Sequence, residues 1–119
     1  MPFSISVEHA PEFLLVKGSG PALLGDMCGL MDLVRLSATS QGHRRALLDL
    51  LEVQIDFKFT DHLALGNHTA DQLRELERVA SVVAERFRVG TSEKAAQKMG
   101  ARLKTFTSMD EALAWLRSP

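Results

Sequence analysis

The densest run of groups able to do chemistry is Asp56, Lys58, Thr60, Asp61 and His62, crowded into one short turn. Two carboxylates, an ammonium, a hydroxyl and an imidazole offer both signs of charge and both donors and acceptors, which suits recognition of a partner. They do not suit proton relay between Asp61 and His62, because neighbours on a helix point about 100° apart. The plainer use of the same residues is a solvated turn in which Thr60, or Asp61, caps the next helix. The turn is read as a partner-binding patch made of all five residues.

A second group is Arg86, Arg88, Thr91 and Ser92, with Gly90 and Lys94 beside them. Two guanidiniums just before a helix start, with its free amides and hydroxyls, make an anion-binding expectation. An exposed basic loop explains the same letters. Phe87 between the arginines is either an exposed recognition residue or a plug for the core.

Other patterns fall short of chemistry. His62 and His68 are six apart, whereas metal ligands on one helix face need a spacing of four. Cys28, the one cysteine, has no ligand partner at metal spacing and no disulfide partner, so neither metal nor cofactor is expected; it reads as a buried, reduced thiol. Gly18-Ser-Gly20 has Leu23 where a dinucleotide loop needs a third glycine, and reads as a tight turn. No nucleophile elbow and no cysteine–histidine arrangement is present, so no catalytic residue is assigned and the chain is not expected to be an enzyme.

These groups must be positioned by an alternation of strands and helices. FSISV at residues 3–7 alternates apolar and polar, as a half-exposed strand does. FLLVK at 13–17 is a second strand, joined to the first by a short hairpin link through Pro11. A helix is expected over 21–40, with Pro21 in its first turn and Leu23, Met27, Leu30, Met31 and Val34 inward. The strand at 44–53 is nearly all apolar from Ala46 to Leu51, as in a sheet covered on both faces. His43, Arg44 and Arg45 ahead of it read as solvated. A second helix runs to about residue 76, with Leu63, Gly66, Ala70 and Leu73 inward and the two small residues letting it lie close on the sheet. RVASVVA at 78–84 is a buried strand, and a short helix ends at Gly100. RLKTF at 102–106 is the last strand. Ser108 with Glu111 forms a capping box, and Ala112, Leu113, Trp115 and Leu116 give the final helix its apolar face. The order ββαβαβαβα, without linker or repeat, predicts one α/β domain over residues 1–119. Its sheet is mostly parallel, with an antiparallel N-terminal edge strand and flanking helices.

That order, the strand LLDLLEV with its loop, and the ending TFTSMDEALAWL resemble the STAS-like domain over nearly the whole chain. More narrowly, they resemble small bacterial single-domain proteins grouped as STAS/SEC14-like, related to anti-sigma-factor antagonists. The most specific piece is Lys104 to Leu116. In the antagonists an Asp-Ser-Ser-Gly or Asp-Ser-Thr-Gly motif follows this strand, and a partner kinase phosphorylates its serine. Here Asp56 matches the aspartate, but Phe57 and Lys58 stand where the hydroxyl residues belong, so that switch is not carried over. The resemblance implies a non-catalytic fold that docks proteins or small ligands. Its SEC14-like side implies an alternative, a small-molecule or lipid carrier with a pocket lined by Met27, Leu30, Met31 and Val34.

The whole-chain properties agree with this. The 119 residues are 45% hydrophobic and 24% charged, with a formal net charge of -1. Near-neutral charge gives no general attraction to nucleic acid. No stretch approaches the ~20 apolar residues of a membrane span, and the N-terminus has no signal-peptide pattern, so a cytoplasmic location is expected. An unknown protein or small ligand is the expected partner, and the apolar surface of the edge strand or helices leaves room for a homodimer.

Overall fold

Alternating burial builds β1, Ser4–His9, which pairs antiparallel with β2, Leu14–Pro21. The computed structural model describes residues 2–119. The strands β3 (Arg45–Gln54), β4 (Arg78–Val83) and β5 (Leu103–Phe106) follow, each parallel to the one before it. The sheet order is therefore the chain order. Three helices make the crossovers: α1 (Leu24–Gln41), α2 (Phe59–Leu73) and α3 (Thr91–Lys98). A helical turn at Glu85–Phe87 precedes α3, and α4 (Met109–Arg117) follows β5.

A sheet that never reverses its strand order, crossed each time with the same hand, carries all its crossover helices on one face. The core divides accordingly. Leu14, Val16, Leu48 and Val79 face α1, α2 and α3, while Leu47, Ala80 and Val82 face Ala112 and Leu116 of α4. Because α4 is short, it covers only part of its face: Leu47 is buried, but Leu51 further along β3 is 39% exposed. The expectation that Ala46 to Leu51 is covered on both faces therefore holds only for the first half of the strand.

The register slips by one residue between the Lys17–Asp49 and Ser19–Glu52 pairs. Such a bulge changes which face the following side chains occupy. It turns Val53 onto the face of Leu48 and Leu50, and buries it. Beside it, the expected turn at Gly18-Ser-Gly20 is instead the continuation of β2. A Cβ on Gly18 would lie 3.1 Å from both Leu30 and Val53 side chains, so the glycine admits close packing rather than a turn.

Several element boundaries differ from the sequence reading for local reasons. Pro21 ends β2, and α1 begins at Leu24. Leu23 precedes the helix and is 77% exposed, so the inward stripe starts at Met27 and extends to Ala38. Neither Thr60 nor Asp61 occupies the cap position of α2, which is Lys58; Asp61 Oδ2 instead folds back to accept from the Lys58 amide at 3.0 Å. Asp26 does the same for the Leu23 amide at 2.8 Å, so α1 and α2 begin alike. Ser108 Oγ caps α4 by accepting from the Glu111 amide at 3.3 Å. After α3, the Gly100 and Ala101 amides turn back to the Gln97 and Ala96 carbonyls, with Gly100 at φ 102°, a Schellman ending.

Arg45 is not the solvated residue its position suggested. It donates to the carbonyls of Leu116 and Ser118 at 2.6 and 2.7 Å, and pairs with Glu77. Arg78 donates to the Trp115 and Pro119 carbonyls at 2.6 and 2.8 Å. Two guanidiniums thus satisfy carbonyls at and beyond the C-terminal end of α4, where its dipole favours positive charge. Trp115 is half-buried, its ring 5.8 Å from that of Phe106.

Candidate functional site

The turn after β3 places the five expected partner-binding residues in three different environments. Asp56, Lys58 and Thr60 are exposed. Asp61 is half-buried, with one carboxylate oxygen held by the Lys58 amide. His62 points inward and is only 8% exposed. The sequence reading of His62 as part of an exposed patch is corrected: from residue 62, the buried face of α2 runs through Leu65, Gly66, Thr69, Ala70 and Leu73. Leu63, read as inward, is outward and 37% exposed.

That outward face carries a feature which polar residues alone did not reveal. Phe59 is 65% exposed, and Leu63 one turn later shares its side of the helix. Nearby, a groove runs between the starts of α1 and α2, lined by Phe3, Leu23, Leu24, Asp56, Phe57 and Asp61. Exposed apolar side chains and charged groups therefore meet at the carboxyl end of β3, the side of the sheet where α/β proteins place their binding loops.

The expected anion group is only partly gathered: Arg88 and Ser92 line one cavity with Gly90, whereas Arg86 lies apart from them. The Arg86 guanidinium lies 4.9 Å from the Phe87 ring, and Arg86 borders a groove with Ser19, Glu52 and Gln54. Arg88 donates to the Thr105 carbonyl at 3.2 Å and borders a different cavity. Thr91 begins α3, whose cap position is Gly90 at φ 86°, a left-handed conformation that favours glycine. Ser92 Oγ is already engaged: it donates to the His62 carbonyl at 3.0 Å and lies 3.1 Å from His62 Nδ1.

The cavity that Arg88 borders has about 100 Å³ of open space beneath α2 and α3, at the carboxyl ends of β3, β4 and β5. Met27 and Met31 of the expected α1 pocket line it. Leu30 and Val34 are fully buried core residues instead. Ser81 and Thr105, neighbours in the β4–β5 ladder, face it and share a hydrogen bond of 2.9 Å. In the sequence both read as ordinary strand residues. The signal was their phase: Ser81 alternates with Ala80 and Val82, so it faces the helices across from α4. Gly66 brings α2 against α3 rather than against the sheet, as its spacing had suggested. A Cβ there would lie 2.5 Å from that of Ala95.

The remaining candidates are structural in this geometry. His68 Nε2 lies 2.6 Å from Asp32 Oδ1 and ties α2 to α1. No group of three potential metal ligands occurs among the described residues, and none of their helices is long and apolar enough to cross a membrane. Cys28 is half-buried rather than buried. Loss of solvent around the thiol pushes its pKa up, and the Asp32 carboxylate adds to this.

Comparison with known proteins agrees with this architecture. A family model described as SpoIIAA-like matches residues 19–117. No curated protein matches the chain. Among solved structures, an anti-sigma factor antagonist from Mycobacterium paratuberculosis superposes with a TM-score of 0.67 at 14% identity, covering 98% of this chain and 96% of its own. An uncharacterized protein with a SpoIIAA-like fold from Shewanella loihica PV-4 gives a TM-score of 0.58 at 24% identity, covering 96% and 93%. At these identities the two structures speak for the fold.

Proposed function

The chain belongs to the SpoIIAA-like family, and we propose that it is a non-catalytic module that docks a partner protein, in the manner of an anti-sigma factor antagonist but without a phosphorylatable serine. The observation that carries this is the apolar face formed by Phe59, 65% exposed, and Leu63 beside the charged turn at Asp56 and Lys58. Large exposed apolar side chains next to polar ones mark surfaces that a partner covers. A solved structure with the same fold is described as an anti-sigma factor antagonist, which supports a protein as the partner.

On this reading the partner touches Asp56, Lys58, Phe59, Thr60 and Leu63, in the cytoplasm. Asp61 and His62 act from behind, one starting the helix and the other anchoring it. Phe57 and Lys58 stand where the antagonists' motif carries hydroxyls, so phosphate at those two positions does not set binding.

The test begins with immobilised protein exposed to lysate of its own host, followed by purification of the captured partner. Affinity is then measured for the wild type and for Lys58→Glu combined with Phe59→Ser. Central aromatic anchors commonly contribute 2 kcal/mol or more, so the expected loss is about thirtyfold, with the melting temperature nearly unchanged. Unaltered affinity in the double variant would remove this face from consideration.

A further inference from the structure

The cavity under α2 and α3 combines apolar walls with a few unanswered polar atoms. Its walls include Met27, Met31, Leu48, Leu65 and Val83. Its polar groups are mostly satisfied internally: Ser81 and Thr105 bond to each other, and a Glu93 carboxylate oxygen accepts from the Thr105 amide. Thr69 and His62 are the exceptions: Thr69 lines the cavity, is buried, and its hydroxyl has no hydrogen-bond partner among the described residues. The histidine is the larger group. It is more than nine-tenths buried, lines the cavity, and bonds through Nδ1 only; Nε2 has no hydrogen-bond partner among the described residues.

The protonation of the ring follows from its neighbour. Ser92 Oγ has one proton and donates it to the His62 carbonyl. The contact between Oγ and Nδ1 then needs the proton on the ring, so Nδ1–H donates to Ser92. In the neutral imidazole this leaves a lone pair on Nε2. That atom is not sealed off, since no fully enclosed side-chain nitrogen or oxygen among the described residues lacks a partner. A site with apolar walls, an imidazole acceptor and hydroxyls that can donate or accept is complementary to an apolar molecule carrying one hydroxyl.

Size and charge narrow the class. An apolar protein cavity of roughly 150 Å³ holds benzene, so about 100 Å³ encloses only part of such a ring and the rest reaches through the open side. A carboxylate would lose its hydration among these walls, and the Arg88 guanidinium in the lining is offset there by the Glu93 carboxylate. We infer that this cavity binds a small neutral hydroxyl compound, of the size of phenol, whose hydroxyl donates to His62 Nε2 while its apolar body packs on Met27, Met31, Leu48 and Leu65. The site is independent of the protein-docking face, which lies on the opposite side of α2.

Nuclear magnetic resonance titration of the isotope-labelled full chain tests this, with phenol, toluene and benzoate as probes. Phenol is expected to give saturable shifts at Leu65, Thr69, Ser81, Val83 and Thr105. It should bind about fivefold more tightly than toluene, the worth of one neutral hydrogen bond. Benzoate should bind more weakly than phenol. In His62→Leu the preference of phenol over toluene should vanish. Should that variant fail to fold, direct observation of the wild-type His62 ring nitrogens decides: Nε2 is expected to shift on adding phenol. Absence of saturable phenol binding, equal affinity for phenol and toluene in the wild type, tighter binding of benzoate, or an Nε2 signal that phenol leaves unmoved would each overturn the proposal.

Discussion

Gly66 of α2 lies so close to Ala95 of α3 that an added Cβ would stand 2.5 Å from the Ala95 Cβ and 2.7 Å from the Ser92 carbonyl oxygen. Two helices meet here at backbone distance, and the contact holds the start of α3 over the cavity.

Replacing that glycine sets two effects against each other. Gly→Ala inside a helix gains up to about 1 kcal/mol from propensity. Overpacking against a backbone carbonyl costs about 1–3 kcal/mol, and the carbonyl has little room to move. Gly66→Ala is therefore expected to lower stability by up to about 2 kcal/mol in urea unfolding. Gly29→Ala is the control, because nothing lies within 4 Å of its added Cβ. It should leave stability unchanged or raise it by up to about 1 kcal/mol. Equal effects at the two positions would contradict the close contact of α2 and α3.

Ser92→Ala removes the hydroxyl that clasps both the ring and the carbonyl of His62. A buried Nδ1–H left without its acceptor costs about 1–3 kcal/mol. Chemical denaturation should show a loss of that size, and a midpoint equal to that of the wild type would count against the clasp.

Glu77 has a pKa below the usual glutamate value, chiefly through its hydrogen bond from Arg45, then through the charges of Arg45 and, more weakly, Arg44. A carboxylate held below its unfolded value of about 4.3 stabilises the folded state above that pH, and the gain is lost as pH falls through the folded value. The stability difference between the wild type and Glu77→Gln should therefore be full at neutral pH and shrink in acid, below about pH 4.3. Because the Glu77 side chain is 41% exposed, added salt should shrink it too. Urea titrations at several pH values read this directly; a difference that grows toward acid would refute the assignment.

Cys28 should react slowly with an aromatic disulfide reagent at neutral pH. Burial first, and Asp32 second, hold its pKa above that of a free thiol, so less of the nucleophilic thiolate is present. Asp32→Asn should speed the reaction modestly, by removing the smaller of the two causes. Reaction as fast as that of a small free thiol would show that the thiol is not shielded.

The alternation of strands and helices was readable because each element leaves its own period in the letters. Strands such as 78–83 are too apolar to face water, and Ser108 with Glu111 marks a helix start through a local hydrogen bond. Helix caps made from behind were harder to read. Asp26 and Asp61 reach back to amides three residues earlier, so Thr60, the better cap by type, remains an exposed residue of the first turn.

The sequence by itself determined the order of elements, the parallel sheet with its antiparallel edge, and the turn after β3 as a place where charged groups collect. Those follow from local periodicity and from the few ways that strands and helices connect. Only the tertiary structure decided which side of α2 faces inward. His62 has an apolar body and two polar nitrogens, so its type suits either a patch or an interior. Ser92, thirty residues further along the chain, engages Nδ1 and the His62 carbonyl, and the packing of α3 against Gly66 holds Ser92 in place. A contact of that kind has no period in the sequence. It exists only once two helices have packed on the same face of the sheet.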